Sequence, residues 1–214
     1  MTCRSDSRLR LFWHIRHGHE LWLFLPGIVL ILFSGCRKEA AVPKPHAFPR
    51  IEFPEGKPRM VDEAYCPLRF EFPDYGQVVR DTLFFNEKPA DPCWFTIEIP
   101  QLNASLHCSY GRILKKTDFD HFIEDEFKLL GKHNIKADFR DEVALKNNNG
   151  VSGMAFLLEG PVATPYQFFL TDSTRHFFRA SLYFNAQVNP DSTRPVLEFL
   201  QKDLRRMQET FAWK

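Results

Sequence analysis

The stretch "ADFRDEVALKNNNGVSGMAFLLEG", Ala137–Gly160, and the "YQFFLTDSTRHFFRASLYFN" that follows it at Tyr166–Asn185 decide the fold. Each holds two runs rich in Val, Leu, Phe and Tyr, with a short polar return between them. The first return, "KNNNG", ends on Asn149-Gly150, a pair suited to the positive backbone angles of a hairpin turn. The second, "STR", follows Asp172, and Asp and Ser are ordinary turn formers. Strands joined by so few residues must run antiparallel, because parallel neighbours need a long crossover. Four strands in a meander are therefore expected between residues 137 and 185.

Toward the N-terminus, "CWFTIEI" (Cys93–Ile99) sets Phe95, Ile97 and Ile99 on one face, the period of a half-buried strand. "PQLN" then turns the chain and "ASLHCSY" (Ala104–Tyr110) alternates back, a second hairpin. Further upstream "LRFEF" (Leu68–Phe72) reads as a short strand. Between the hairpin and the meander, "TDFDHFIEDEFKLLG" repeats Phe119, Phe122, Ile123, Phe127 and Leu130 at three- and four-residue steps, one apolar helical face. Thr117 and Asp120 have the spacing of a capping pair, and Gly131 has the place of a stop signal. At the C-terminus, Val196, Leu197, Leu200, Leu204, Met207 and Phe211 form the stripe of a second helix, with Asp191 or Ser192 placed to cap it. Hairpin, helix, four-strand meander, helix is the order of an α+β domain: a single twisted antiparallel sheet flanked by helices.

The N-terminal end speaks of compartment. "IVLILFSGCRKE" (Ile28–Glu39) stops an apolar run at Phe33-Ser34-Gly35-Cys36. From Leu21 the run reaches Phe33 with Pro26-Gly27 inside it, short of the about 20 residues that cross a bilayer. Its length suits the apolar core of a secretory leader, and Arg4, Arg8, Arg10 and Arg16 supply the basic flank. The small residues before Cys36 resemble a bacterial lipobox, with Phe33 where leucine is usual. The expected organisation is a lipoprotein signal peptide at 1–35, a lipidated Cys36 with a Pro-rich tether over 36–65, and a globular domain over 66–214. Pro43, Pro45, Pro49, Pro54 and Pro58 keep the tether extended, while Phe48, Ile51 and Phe53 give its later part something to dock.

Composition and charge narrow the function. The chain has 214 residues, 44% hydrophobic, with 28 basic and 27 acidic side chains. The leader holds four Arg and two acidic residues, so the remainder stands at a formal −1. That balance gives no support for nucleic acid, and no polybasic cluster follows Cys36 to hold anionic lipid. Membrane attachment would rest on the acyl chains. Of five cysteines, Cys3 lies in the leader and Cys36 takes the lipid. Cys66, Cys93 and Cys108 remain, an odd number in an export compartment. A Cys66–Cys93 bridge with Cys108 as a buried thiol is one reading, and three reduced core cysteines the other.

Chemistry-bearing patterns are few. Asp172, Ser173 and His176 sit together, but acyl-transfer triads draw their members from separate segments and need separate oxyanion donors. Turn formation accounts for them more simply. The histidines at 46, 107, 121, 133 and 176 are scattered, without HExxH or CxxC spacing, and no phosphate-binding glycine loop occurs. No catalytic residue, cofactor, metal or small-molecule substrate is expected.

The strings "FPRIEFP", "CPLRFEFPDY", "CWFTI", "KHNIKA", "QFFLTDSTRHFFRASLYF", "DSTRPVLEFLQKDL" and "FAWK" resemble the gliding motility lipoprotein GldD family of Bacteroidetes, from about Phe48 to Lys214. Ala180-Ser181 departs from the Gly-Ala usual before "LYF". The resemblance implies a lipid-anchored cell-envelope component of the gliding machinery, linked to type IX secretion, whose partners are other gliding and secretion envelope proteins. No catalytic residue travels with it. The order of strands and helices is also similar to the Mog1/PsbP type of sandwich. Arg37 and Lys38 after the cysteine differ from the acidic signal that resembles surface export, which favours the periplasmic side. The alternative is a periplasmic ligand-binding or hydrolytic lipoprotein with a pocket near the 170–176 hairpin.

Overall fold

The structure is a computed structural model, and it describes residues 50–83, 87–186 and 188–214. The signal peptide, Cys36 and Phe48 lie outside the described residues.

Among the described residues, ten strands and two α-helices follow one another in an α+β arrangement, as the sequence pattern implies. A hairpin-like series opens it: β1 (Pro58–Val61), β2 (Leu68–Pro73), β3 (Gln77–Arg80), β4 (Phe95–Ile99) and β5 (Ala104–Arg112). Helix α1 (Lys116–Asn134) crosses over to the meander of β6 (Phe139–Lys146), β7 (Ser152–Glu159), β8 (Tyr166–Thr171) and β9 (His176–Phe184). Helix α2 (Pro190–Thr210) and the two-residue β10 (Ala212–Trp213) close the chain. The main sheet has seven antiparallel strands in the order β3-β4-β5-β9-β8-β7-β6. A second, three-stranded sheet, β1-β2-β10, stands beside it. The expected single sheet is therefore joined by a small one, in which β2 is the strand expected over Leu68–Phe72 while its partners β1 and β10, of four and two residues, are too brief to alternate visibly.

Alternation along the strands divides the core in two. Phe168, Leu170, Phe178 and Leu182 belong to one cluster with Ile97, Leu106 and the α2 residues Leu200, Leu204 and Met207. Their immediate neighbours Phe169 and Phe177 belong to the other, with Phe156, Leu158 and the α1 residue Leu130. The two helices thus cover opposite faces of the main sheet. Phe211 is fully buried just after α2, with Phe70 of β2 on one side and Phe178 of β9 on the other. Side chains of this size each contribute about 1.5–3 kcal/mol on burial. That contact also fastens the small sheet to the large one.

Residues in the proline-rich stretch take part in the domain. Pro58–Val61 pairs with β2, Ile51 packs on the core, and Phe53 stacks on Phe199 of α2 at 4.7 Å. Arg206 of α2 makes a two-point ion pair with Glu71 of β2, at 2.8 Å from Nε and 2.6 Å from Nη2.

The helix ends differ from expectation. Asp118, rather than Thr117 with Asp120, caps α1: its Oδ2 accepts from the Leu114 and Lys115 amides at 2.9 and 2.8 Å. A carboxylate in the first turn satisfies amides that lack helical partners. Gly131 does not stop α1, which runs three residues further to Asn134. Asn189 caps α2, one residue before Pro190, where a missing amide costs nothing; neither Asp191 nor Ser192 does so.

Candidate functional site

The 171–176 turn brings Asp172, Ser173 and His176 close, but each is turned to a separate structural task. Asp172 Oδ1 accepts from the amides of Thr174, Arg175 and His176 at 3.0, 2.8 and 2.9 Å. Burial would push its carboxyl up, yet these donors outweigh burial and hold it down to about 2. Ser173 takes the left-handed backbone conformation, φ 62°, that the tight return demands, and its amide donates to Thr171 Oγ1. His176 Nδ1 lies 2.6 Å from the Tyr110 hydroxyl, and the ring stacks on Trp213 at 4.8 Å. Burial lowers the His176 pKa and raises that of Tyr110 to about 12, which favours a neutral imidazole accepting from a neutral phenol. The serine–histidine–carboxylate chain of acyl transfer is not assembled.

Cys66 and Cys93 are joined in a disulfide, with Cα atoms 4.8 Å apart. The Cys108 thiol is free and buried, and burial pushes its pKa well up. Among the described residues, no group of three or more His, Cys, Asp or Glu could hold a metal ion. Among them too, no helix is long and apolar enough to cross a membrane.

Two features escaped the sequence reading. The first is a polar seam on the α1 side of β4 and β5. Thr96 Oγ1 stands 3.2 Å from both oxygens of Asp81 and 2.9 Å from His107 Nδ1, while His107 Nε2 is 3.5 Å from Ser105 Oγ. Thr96 donating to Asp81 and accepting from His107 satisfies the first three groups. The last contact is too long to activate a hydroxyl. Its only sequence signal is the alternation of Ser105, His107 and Ser109 with Leu106 and Cys108.

The second is a groove between α2 and the β6–β7 end of the main sheet. Two adjoining clefts, of about 220 and about 420 Å³, share Leu157 and Gln201 and run along the helix. Neither is lined by residues 171–176. Leu157, Val143 and Leu145 form floor, and Leu197 and Arg205 form wall. One end is closed by the β6–β7 turn itself: Asn147 Nδ2 donates to the Gln208 and Phe211 carbonyls at 2.9 and 2.8 Å, and Asn149 Nδ2 donates to Phe211 at 3.0 Å. Those carbonyls end α2 without further helix, so the turn asparagines serve as its C-terminal cap. Among the described residues the edge strand β6 has no neighbour on its outer side, and Phe139 and Val143 remain 58% and 50% exposed. A half-open apolar groove beside an edge strand suits contact with another polypeptide better than enclosure of a small molecule.

A family model described as gliding motility lipoprotein GldD matches residues 38–213. No curated protein matches the chain. Among solved structures it is similar to the solution structure of cyanobacterial PsbP (CyanoP) from Synechocystis sp. PCC 6803, with 10% identity, covering 75% of this chain and 95% of that one, at a TM-score of 0.40. The match covers well over half of the chain, and the chain belongs to the gliding motility lipoprotein GldD family.

Proposed function

We propose that this chain is held in the cell envelope by acyl chains on Cys36, facing the periplasm, and serves the gliding machinery and its associated type IX secretion through protein contacts rather than catalysis. The observation that carries this reading is the family match over 38–213, which begins two residues after the lipobox cysteine. The exposed β6 edge and the groove beside α2 supply a surface of the right kind. The engagement of Asp172 by three amides and of His176 by Tyr110 leaves the one Ser–His–Asp cluster of the sequence occupied with structure.

The test is a pair of variants in the native host. Cys36→Ser is expected to shift the protein from the membrane to the soluble fraction and to abolish colony spreading. Ser173→Ala is expected to keep both membrane attachment and spreading. A soluble Cys36→Ser protein that still supports spreading removes the anchoring claim, and loss of spreading in membrane-bound Ser173→Ala reopens the hydrolytic alternative.

A further inference from the structure

The outer edge of β6 is written in a self-complementary pattern, and we infer that it pairs with β6 of a second copy of this chain, antiparallel and centred on Ala144. The inference names one partner for the protein-contact reading above, yet its readout is physical association and does not depend on motility.

The backbone sets which residues meet. The Asn147 amide bonds the Val151 carbonyl within the β6–β7 register, so the odd-numbered residues of β6 spend their backbone groups on β7. The even-numbered residues, Arg140, Glu142, Ala144 and Lys146, present theirs outward. The Glu142 amide agrees with this direction: among the described residues it reaches no strand and is held by the Asp141 side chain at 2.9 Å, a local bond that pairing would exchange for the Lys146 carbonyl of the second copy. A two-fold axis normal to the sheet keeps each face of one copy continuous with the same face of the other. Even residues must then oppose even residues, and odd oppose odd.

Charge selects among the remaining registers. With the axis at Val143, Arg140 faces Lys146 of the other copy, a repulsion made twice. With the axis at Glu142, like carboxylates meet at the centre; with the axis at Asp141, Arg140 meets Glu142 twice, but the two Asp141 carboxylates oppose each other at the centre. With the axis at Leu145, Lys146 meets Ala144 and Glu142 meets Asn148, so no opposite charges are paired. Only the axis at Ala144 sets Glu142 against Lys146, twice, and Val143 against Leu145 on the groove side, also twice. Opposite charges directly across a sheet stabilise and like charges destabilise. The Arg140–Glu142 ion pair, at 2.9 Å, lies on the same face as the new contact and need not break. Charged residues on an edge commonly guard it against pairing. Here their alternation turns the guard into a choice of one register.

The pairing would cover the exposed Val143 and the half-buried Leu145 of both copies. It would also join the two grooves into one trough, floored by β7 and β6 of each copy and walled by the two α2 helices.

The experiment uses the full lipid-anchored chain in native membranes. Opposed residues of a hydrogen-bonded pair stand about 5.5 Å apart at Cα, within reach of a disulfide. Under mild oxidation Ala144→Cys is expected to run as a covalent dimer on a non-reducing gel, and Lys128→Cys, exposed on α1, to stay monomeric. In the Ala144→Cys background, Glu142→Lys and Lys146→Glu should each lower the dimer fraction at least fivefold, and the two together should restore it. All four positions are exposed, so the variants keep the fold, which far-ultraviolet circular dichroism checks. Cross-linking no greater than for Lys128→Cys, or no restoration by the double reversal, overturns the inference. So does an adduct whose mass is not twice that of the chain, which would assign the edge to a different protein.

Discussion

Asp172 shows how far a single residue could be read in advance. Its place in a turn was legible from "TDSTRH", because Asp followed by Ser favours a local return whatever the fold. Its three amide contacts follow from that return. The partner of His176 was not legible, since Tyr110 lies 66 residues away and meets it only when β5 and β9 pair. The depressed Asp172 pKa carries a prediction whose sign is definite. A carboxyl held below its unfolded value contributes stability above about pH 4 and loses that contribution as pH falls toward 2. Asp172→Ala should therefore lower stability by about 1–2 kcal/mol near neutral pH and narrow the gap to the parent in acid. Urea melts from pH 7 down to pH 2.5 measure it, and an equal gap at both ends would contradict the account.

At the scale of elements, long periodic segments were readable and short ones were not. The stripes of α1 and α2 repeat over five turns or so, and the four meander strands are bounded by recognisable turns. Strands β1, β3 and β10 span four, four and two residues, and exist because a neighbour offers backbone partners. Caps were misjudged by one to three residues because several Asp, Ser, Thr and Asn compete for each helix start, and tertiary position decides which wins. A close approach inside the sheet yields a sharper prediction. A Cβ placed on Gly153 of β7 would stand 1.9 Å from the Phe169 carbonyl oxygen of β8, and backbone in a paired strand cannot yield as a side chain can. Gly153→Ala should cost about 2–3 kcal/mol and loosen the β7–β8 pairing. Thermal melts and amide exchange of Phe169 and Leu170 test it; a fold unchanged by the extra methyl would sink it.

Over the whole molecule, the Cys66–Cys93 disulfide ties the start of β2 to the start of β4 across 27 residues of sequence. It encloses β2, β3 and the stretch that includes the undescribed residues 84–86. Closing a loop of that length in the unfolded chain is worth about 3–4 kcal/mol on the chain-entropy account. Cys66→Ser should lower the urea midpoint accordingly, and a peptide map of non-reduced protein should contain the 66–93 cross-linked peptide. A map lacking it would remove the bridge. The residue pattern alone settled the α+β class, the antiparallel sense of the strands and the apolar face of each helix, because periodicity and turn chemistry act over a few neighbouring residues. Tertiary structure alone decided that β9 returns beside β5, that a second small sheet joins the core through Phe70 and Phe211, and that β6 is left at the open edge. Those outcomes depend on where the α1 crossover sets the meander down, and that placement is chosen by the burial of surfaces far apart in the chain.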